Sequence, residues 1–183
     1  SITHFWGGEP RNSVINGEDS WNEMMRPLGV RNLGYGWDRI ENVLWRVYHD
    51  ELSGYNAAQI VILIGTNNMG LNTHEEILEG LQFLVQAIKS RQPGADILIL
   101  GIYPRRKDEQ LIAELNQGVV KIAGATNIRY LDAGKVLLTA DGKIDETLFT
   151  DGLHPNAEGY RRLAKEMIPY LKPVEKIPAK TKK

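Results

Sequence analysis

The 183 residues are 42% hydrophobic and 25% charged, the balance of one ordinary globular domain with a single core. A net charge of −1 supplies no field to draw nucleic acid or an anionic membrane, and the absence of cysteine excludes disulfides, thiolate metal sites and a cysteine nucleophile. No apolar run approaches the length of a membrane span.

Residues 1–6 are followed by Gly7-Gly8-Glu9-Pro10, so 7–17 reads as loop. A short helix is expected over Ser20–Arg26, ended by Pro27 and Gly29. Val30–Leu33 is a strand candidate, and Gly34-Tyr35-Gly36 turns the chain. Asp38, with Glu41 three residues on, predicts the start of a helix. Its apolar stripe is Ile40, Val43, Leu44, Val47 and Tyr48. Gln59–Ile64 is an unbroken aliphatic run, the pattern of a parallel strand buried on both faces. It ends in the polar loop Gly65–Gly70.

Thr73-His74-Glu75-Glu76 is a capping box ahead of a helix with Ile77, Leu78, Leu81, Leu84, Val85 and Ile88 on one face. Pro93-Gly94 stops it, and Asp96–Leu100 is the next buried strand, leading into Gly101-Ile102-Tyr103-Pro104-Arg105. A helix over Glu109–Ala123, with Leu111, Leu115, Val119 and Ile122 expected inward, closes at Gly124 and Asn127. Ile128–Asp132 is a strand, and 133–149 is irregular with an Asp141-Gly142 turn. Asn156 caps a final helix whose expected buried stripe is Tyr160, Leu163, Ala164, Met167, Ile168 and Leu171. The Lys- and Pro-rich tail, residues 173–183, lacks periodicity and stands apart from a domain of residues 1–172. Strand followed by helix, four times over, predicts a three-layer α/β/α fold with a central parallel sheet. In such sheets ligands lie at the C-terminal ends of the strands, so the polar loops there are the places to look.

The stretch Thr150–Asn156 places an acid and an imidazole three residues apart in a Gly- and Pro-containing loop. A carboxylate there can orient an imidazole whose other nitrogen stays free as a base, which is two thirds of a hydrolytic triad. Alone the pair also suits a solvated turn; its partners decide. Ser1-Ile2-Thr3, Asn32–Asp38, Gly65-Thr66-Asn67-Asn68 and Asp151–Pro155 occur in the order of the four blocks of the GDSL/SGNH hydrolase superfamily, and the sequence resembles that superfamily over residues 1–171. Val43-Leu44-Trp45-Arg46 and Gly65–Asn68 look closest to its platelet-activating-factor acetylhydrolase α-subunits and related bacterial carbohydrate acetylesterases.

The resemblance implies a flavodoxin-like sheet, no cofactor and no metal. It implies Ser1 as nucleophile, His154 as general base and Asp151 as its orienter. The oxyanion would meet the Ser1 N–H, a backbone N–H of Gly36 or Trp37, and the Asn67 side-chain amide. Trp37 stands where the family has glycine, so its backbone is more restricted, and its indole is expected to wall the acyl pocket together with Asn68 and Tyr103. The resemblance also implies a strand before Ser1, so the expectation is that the native protein has upstream residues forming it. Were Ser1 a true terminus, its α-amine could serve as a base, but Asp151 and His154 would then be unexplained.

Other residues invite plainer readings. His4, His49 and His74 are expected at the surface, and the histidines show no metal-ligand spacing. Gly34-x-Gly36 lacks the third glycine of a dinucleotide fingerprint. Arg105 and Arg106 read as solvated. The function expected is a serine esterase acting on short acyl, chiefly acetyl, esters of carbohydrates, with a phospholipid-type acetylhydrolase or lysophospholipase as alternative. From another class, a catalytically dead carbohydrate-binding module on the same fold would also fit Trp37. The partner expected is a small O-acylated substrate; a homodimer is compatible with the sequence. A secreted or periplasmic location is expected if a signal peptide has been removed, and a cytoplasmic one otherwise.

Overall fold

A computed structural model describes residues 1–11 and 13–173. Three of the four expected strands form: β1 (Gln59–Ile62), β2 (Asp96–Leu100) and β3 (Arg129–Leu131). They are parallel in the order β1-β2-β3, with Ile60 opposite Ile97 and Ile99 opposite Tyr130. The middle strand explains its own sequence. Ile97 and Ile99 enter one core while Leu98 and Leu100 enter the other, so no position in the run can be polar. β1 departs from that expectation. It pairs on one side only among the described residues, and Val61 is 36% exposed. Pairing stops at Ile62, although Leu63 and Ile64 still pack against the two cores.

On one face lie α2 (Ile40–Tyr48), α3 (His74–Arg91) and α4 (Glu109–Thr126). The other face is covered by the N-terminal segment, residues 133–149 and α5 (Ala157–Met167). Placing α3 and α4 on the same face is what two successive crossovers of one hand produce as strands are added in one direction. The Thr73 box forms as expected, with Glu76 N donating to Thr73 Oγ1 at 3.2 Å and Thr73 N to Glu76 Oε2 at 2.9 Å. Asn127 closes α4 in the left-handed conformation.

Three expectations are corrected. Val30–Leu33 forms no strand among the described residues, because Asn32 turns inward and bonds to loop backbone instead. The helix expected over Ser20–Arg26 starts earlier as α1 (Glu18–Ser20), then widens into a π turn (Trp21–Met25) and tightens into a 3-10 turn (Arg26–Leu28) before Gly29 at φ 76°. Pro27 has no N–H to continue an α ladder. At α2 the cap position is Arg39 rather than Asp38, and Asn42 Oδ1 accepts the Arg39 N–H at 2.9 Å. Asp38 is drawn to Arg46 at 2.7 Å, which also holds Glu51 at 2.7 Å. The tail expected at 173–183 lies, beyond residue 173, outside the described residues.

Candidate active site

Residues 1–6 coil tightly: Phe5 N donates to Ser1 O at 2.8 Å and Trp6 N to Thr3 O at 3.2 Å. Ile2 and Trp6 face inward and anchor the coil in the core beside α5. The buried Tyr160 hydroxyl, from α5, donates to the Ile2 carbonyl at 2.6 Å. This fixes the backbone adjoining Ser1. Sequence reading had placed Tyr160 only in an apolar stripe; the missed signal is that a buried phenol needs a hydrogen-bond partner.

The imidazole of His154 reaches this coil from the far end of the chain. Ser1 Oγ lies 2.8 Å from His154 Nε2, and His154 Nδ1 lies 2.7 Å from Asp151 Oδ2. The loop is built to make that pair. Asp151 Oδ1 accepts the backbone N–H of Leu153 at 2.9 Å and of His154 at 2.8 Å, so the same carboxylate folds the turn and orients the ring. Burial pushes the Asp151 carboxyl up, but the His154 N–H, the imidazole and the Leu153 N–H outweigh it and leave the group below its ordinary value. The Asp151 side chain is 53% exposed and that of His154 17% exposed, so the relay lies open to solvent on the acid side. Phe5 packs on the imidazole with ring centroids 4.8 Å apart.

Arg106, expected to be solvated, straps this loop. Its N–H donates to Gly152 O at 2.8 Å and its guanidinium to Asp151 O at 3.2 Å, while Glu146 holds the fork through two 2.7 Å bonds. Gly152 sits at φ 83°, which favours glycine, and lies under the movable end of the Arg106 side chain. Arg105, also expected to be solvated, bonds Thr66 O at 3.0 Å, tying the loop after β2 to the loop after β1.

The second loop, residues 32–38, is stitched to the coil of residues 1–6. Asn32 Nδ2 donates to Thr3 O and Gly7 O, both at 2.7 Å, and its Oδ1 accepts the Gly34 N–H at 2.8 Å. Gly34 passes so close that a Cβ would meet Thr3 Cβ at 2.7 Å. Ser1 N donates to Tyr35 O at 3.1 Å. His4, expected at the surface, is tucked under this loop, and its Nδ1 accepts the Gly36 N–H at 3.0 Å. Trp37 follows at φ 65°, the left-handed region that its glycine counterpart would occupy without strain. Its indole is 87% exposed, so it stands out from the loop and walls no closed pocket.

Asn67 lies at the end of β1, and its amide donates to Asp38 O at 2.9 Å, which leaves one amide hydrogen unclaimed. Asn68 and Tyr103, expected to contact substrate, do not face the site. Asn68 is buried; its Oδ1 caps α2 by accepting the Ile40 N–H at 3.0 Å, and its Nδ2 bonds Glu41 and Asn72. Those three bonds account for its turn-forming role completely. Tyr103 is fully buried, its hydroxyl 3.5 Å from Met167 Sδ. Burial drives its pKa far above the ordinary phenol value. Past the end of β2, Tyr103 enters the same core as Leu98 and Leu100 rather than facing the loop rim.

Among the described residues no group of His, Cys, Asp and Glu side chains could hold a metal ion, and no helix is long and apolar enough to cross a membrane. The arrangement has a hydroxyl, a base, an oriented carboxylate and, across the loop, amide donors. These are the parts of acyl transfer through a serine ester.

A sequence model described as the GDSL-like Lipase/Acylhydrolase family matches residues 1–162. The chain is 32% identical over 165 residues to the platelet-activating factor acetylhydrolase IB subunit alpha2 of Homo sapiens, covering 87% of this chain and 72% of that one. Its fold is similar to that of a GDSL-like lipase from Bacteroides thetaiotaomicron, with a TM-score of 0.68 and 18% identity over 83% of this chain and 82% of that one. A family 3 carbohydrate esterase from Clostridium thermocellum gives a TM-score of 0.60 and 19% identity, over 76% of this chain and 70% of that one. At these identities the two structures speak to the fold alone.

Proposed function

We infer the reaction from one premise: the chain belongs to the GDSL-like lipase/acylhydrolase family and is an ester hydrolase of that type. Within it, Ser1 is the nucleophile, His154 the general base and Asp151 the group that orients the imidazole. The observation that carries this reading is the unbroken relay from Ser1 Oγ through His154 to Asp151, with links of 2.8 and 2.7 Å.

Ser1 Oγ attacks the ester carbonyl and passes its proton to His154 Nε2. The imidazolium returns that proton to the departing alcohol, leaving an acyl-serine. Water, deprotonated by the same nitrogen, then releases the acid and regenerates Ser1. Each tetrahedral intermediate carries its charge on the former carbonyl oxygen. That charge is met by a backbone N–H of the Gly36–Trp37 turn and the unclaimed Asn67 hydrogen, while the Ser1 nitrogen, expected as a third donor, is turned to Tyr35 O at 3.1 Å. One such donor contributes about 3–4 kcal/mol to the transition state.

The substrate is a short acyl ester, chiefly an acetyl ester, of a carbohydrate or similar small polyol. An open relay and a projecting indole favour a small acyl group and an alcohol presented from solvent, with the Trp37 face against a sugar ring. The second reading, a glycerophospholipid acetyl ester, is favoured by the 32% identity to an acetylhydrolase subunit. The test has two parts. A fluorophosphonate should label Ser1 and p-nitrophenyl acetate should turn over, both lost in Ser1→Ala with the fold intact; an unlabelled Ser1 would end the acyl-serine reading. Acetylated oligosaccharides are then compared with an acetyl glycerophospholipid, and preference for the latter selects the second reading. Faster turnover of long-chain p-nitrophenyl esters would refute the acyl-size claim.

A further inference from the structure

The proposed reaction leaves open which backbone N–H of the second loop reaches the oxyanion, and it gives no task to a histidine held under that loop. The two questions have one answer. A backbone N–H can only donate, so the 3.0 Å contact from Gly36 N makes His4 Nδ1 the bare nitrogen and places the ring proton on Nε2. Nε2 is buried and has no hydrogen-bond partner among the described residues. Burial pushes the His4 pKa down, so the ring stays neutral and Nδ1 stays an acceptor. The ring is wedged between Phe5 and Tyr35, with centroids 6.1 and 5.8 Å away, and Phe5 in turn rests on His154.

With the Gly36 N–H committed to His4, it cannot also serve an oxyanion. Trp37 N–H has no acceptor among the described residues, and its residue is held at φ 65°. On each side the loop is fastened: Tyr35 O to Ser1 N, Gly36 N to His4, and Asp38 O to the Asn67 amide at 2.9 Å. Of the two donors of the Gly36–Trp37 turn, the Trp37 N–H is the one left free among the described residues, in a conformation a tryptophan does not choose unaided.

We propose that His4 is a positioning residue of the acyl-transfer site, which by accepting the Gly36 N–H fixes the turn so that the Trp37 N–H is the second-loop donor to the oxyanion. This rests on the acyl-serine reading above. His4 touches neither substrate nor Ser1 Oγ; it acts by removing one candidate donor and aiming the other. The chemistry it requires is an acceptor at the Nδ1 position, and nothing more. Asparagine places Oδ1 close to that position, glutamine places its oxygen one atom too far, and phenylalanine has no acceptor.

The experiment compares His4→Asn, His4→Gln and His4→Phe in kcat and KM on p-nitrophenyl acetate, with thermal melting to confirm folding. His4→Asn should keep kcat within about threefold. His4→Gln and His4→Phe should lose roughly 10- to 100-fold in kcat, somewhat less than deletion of a donor, with KM within about twofold. If all three retain kcat, if Asn loses as much as Gln, or if the loss falls on KM, the proposal is overturned. Should His4→Phe fail to fold, the Asn–Gln contrast decides alone. Fluorophosphonate labelling of Ser1 in the unaltered protein separates the two readings. Labelled Ser1 with no Asn–Gln contrast removes only the role of His4, whereas unlabelled Ser1 removes the acyl-serine reading beneath it.

Discussion

The Tyr160 hydroxyl and the Ile2 carbonyl are 2.6 Å apart, joined by a buried hydrogen bond that spans 158 positions of sequence. It ties the last helix to the residue beside the candidate nucleophile. Tyr160→Phe removes the donor without changing the ring's shape and leaves the carbonyl unsatisfied. The expected cost is about 1–2 kcal/mol, read as a drop in Tm of roughly 3–6 °C. Because the adjoining Ser1 loses its registration, kcat should fall roughly tenfold, a modest share of what an ångström of misplacement costs. A lowered Tm with unchanged kcat would mean that the bond serves stability only.

Asp151 should matter in two ways that separate by pH. For activity, Asp151→Asn keeps the turn-forming oxygen but favours the wrong imidazole tautomer, and kcat should fall by about 10³–10⁴. For stability, the folded carboxyl sits below its ordinary 3.8, so the native state favours the ionised form. That contribution is complete above the ordinary value and is lost as pH falls through the lower folded one. Urea midpoints of the wild type and Asp151→Asn should therefore differ at pH 6 and converge below pH 3.8, going toward more acid solutions. A gap that widens on acidification would contradict this sign.

Trp37 holds a left-handed backbone with a side chain that buries little. Trp37→Gly should relieve about 1 kcal/mol of strain, offset in part by glycine's greater freedom when unfolded. The expected result is a Tm unchanged or raised by roughly 2–4 °C. Turnover of p-nitrophenyl acetate should persist, since glycine supplies the same N–H, while KM for an acetylated oligosaccharide should rise. Loss of p-nitrophenyl acetate turnover would show that the indole itself shapes the reacting centre.

Asn68→Ala leaves the Ile40 N–H without its buried acceptor and frees Glu41 and Asn72. Destabilisation of about 2–3 kcal/mol is expected, seen as a Tm lowered by roughly 5–10 °C. KM should not change at temperatures where the variant is folded. A KM effect at full folding would restore Asn68 to the substrate side.

What could be read in the sequence, and what could not, divides by the range of the interaction. The Thr73 box, the apolar stripe of α3 and the run of β2 are local patterns, and each formed where expected, whereas on α4 Ile112 rather than Leu111 turns inward. Ser1, Asn67, Asp151 and His154 could be named as candidates because a loop motif singles out residues even when the fold that gathers them is unseen. Asn32, His4, Arg106 and Tyr160 were missed because each acts on a backbone atom of another loop, and no spacing rule predicts which carbonyl or N–H will need a partner. Val30–Leu33 failed for the same reason: β-forming side chains lost to the inward turn of one asparagine. Asp38 failed because a partly buried arginine eight residues on outcompetes a helix end.

The four tryptophans are distributed unequally. Trp6 and Trp21 share the core in edge contact, Trp45 stacks on His49 at 4.0 Å, and Trp37 stands out on the Gly36–Trp37 turn. Trp37 therefore gives the protein a built-in optical reporter. Its emission should be the reddest and the first quenched by acrylamide, and any alcohol that settles against it should shift and shield that component. Ligands can then be screened on the unlabelled wild type, by light alone, before a single ester bond is cut.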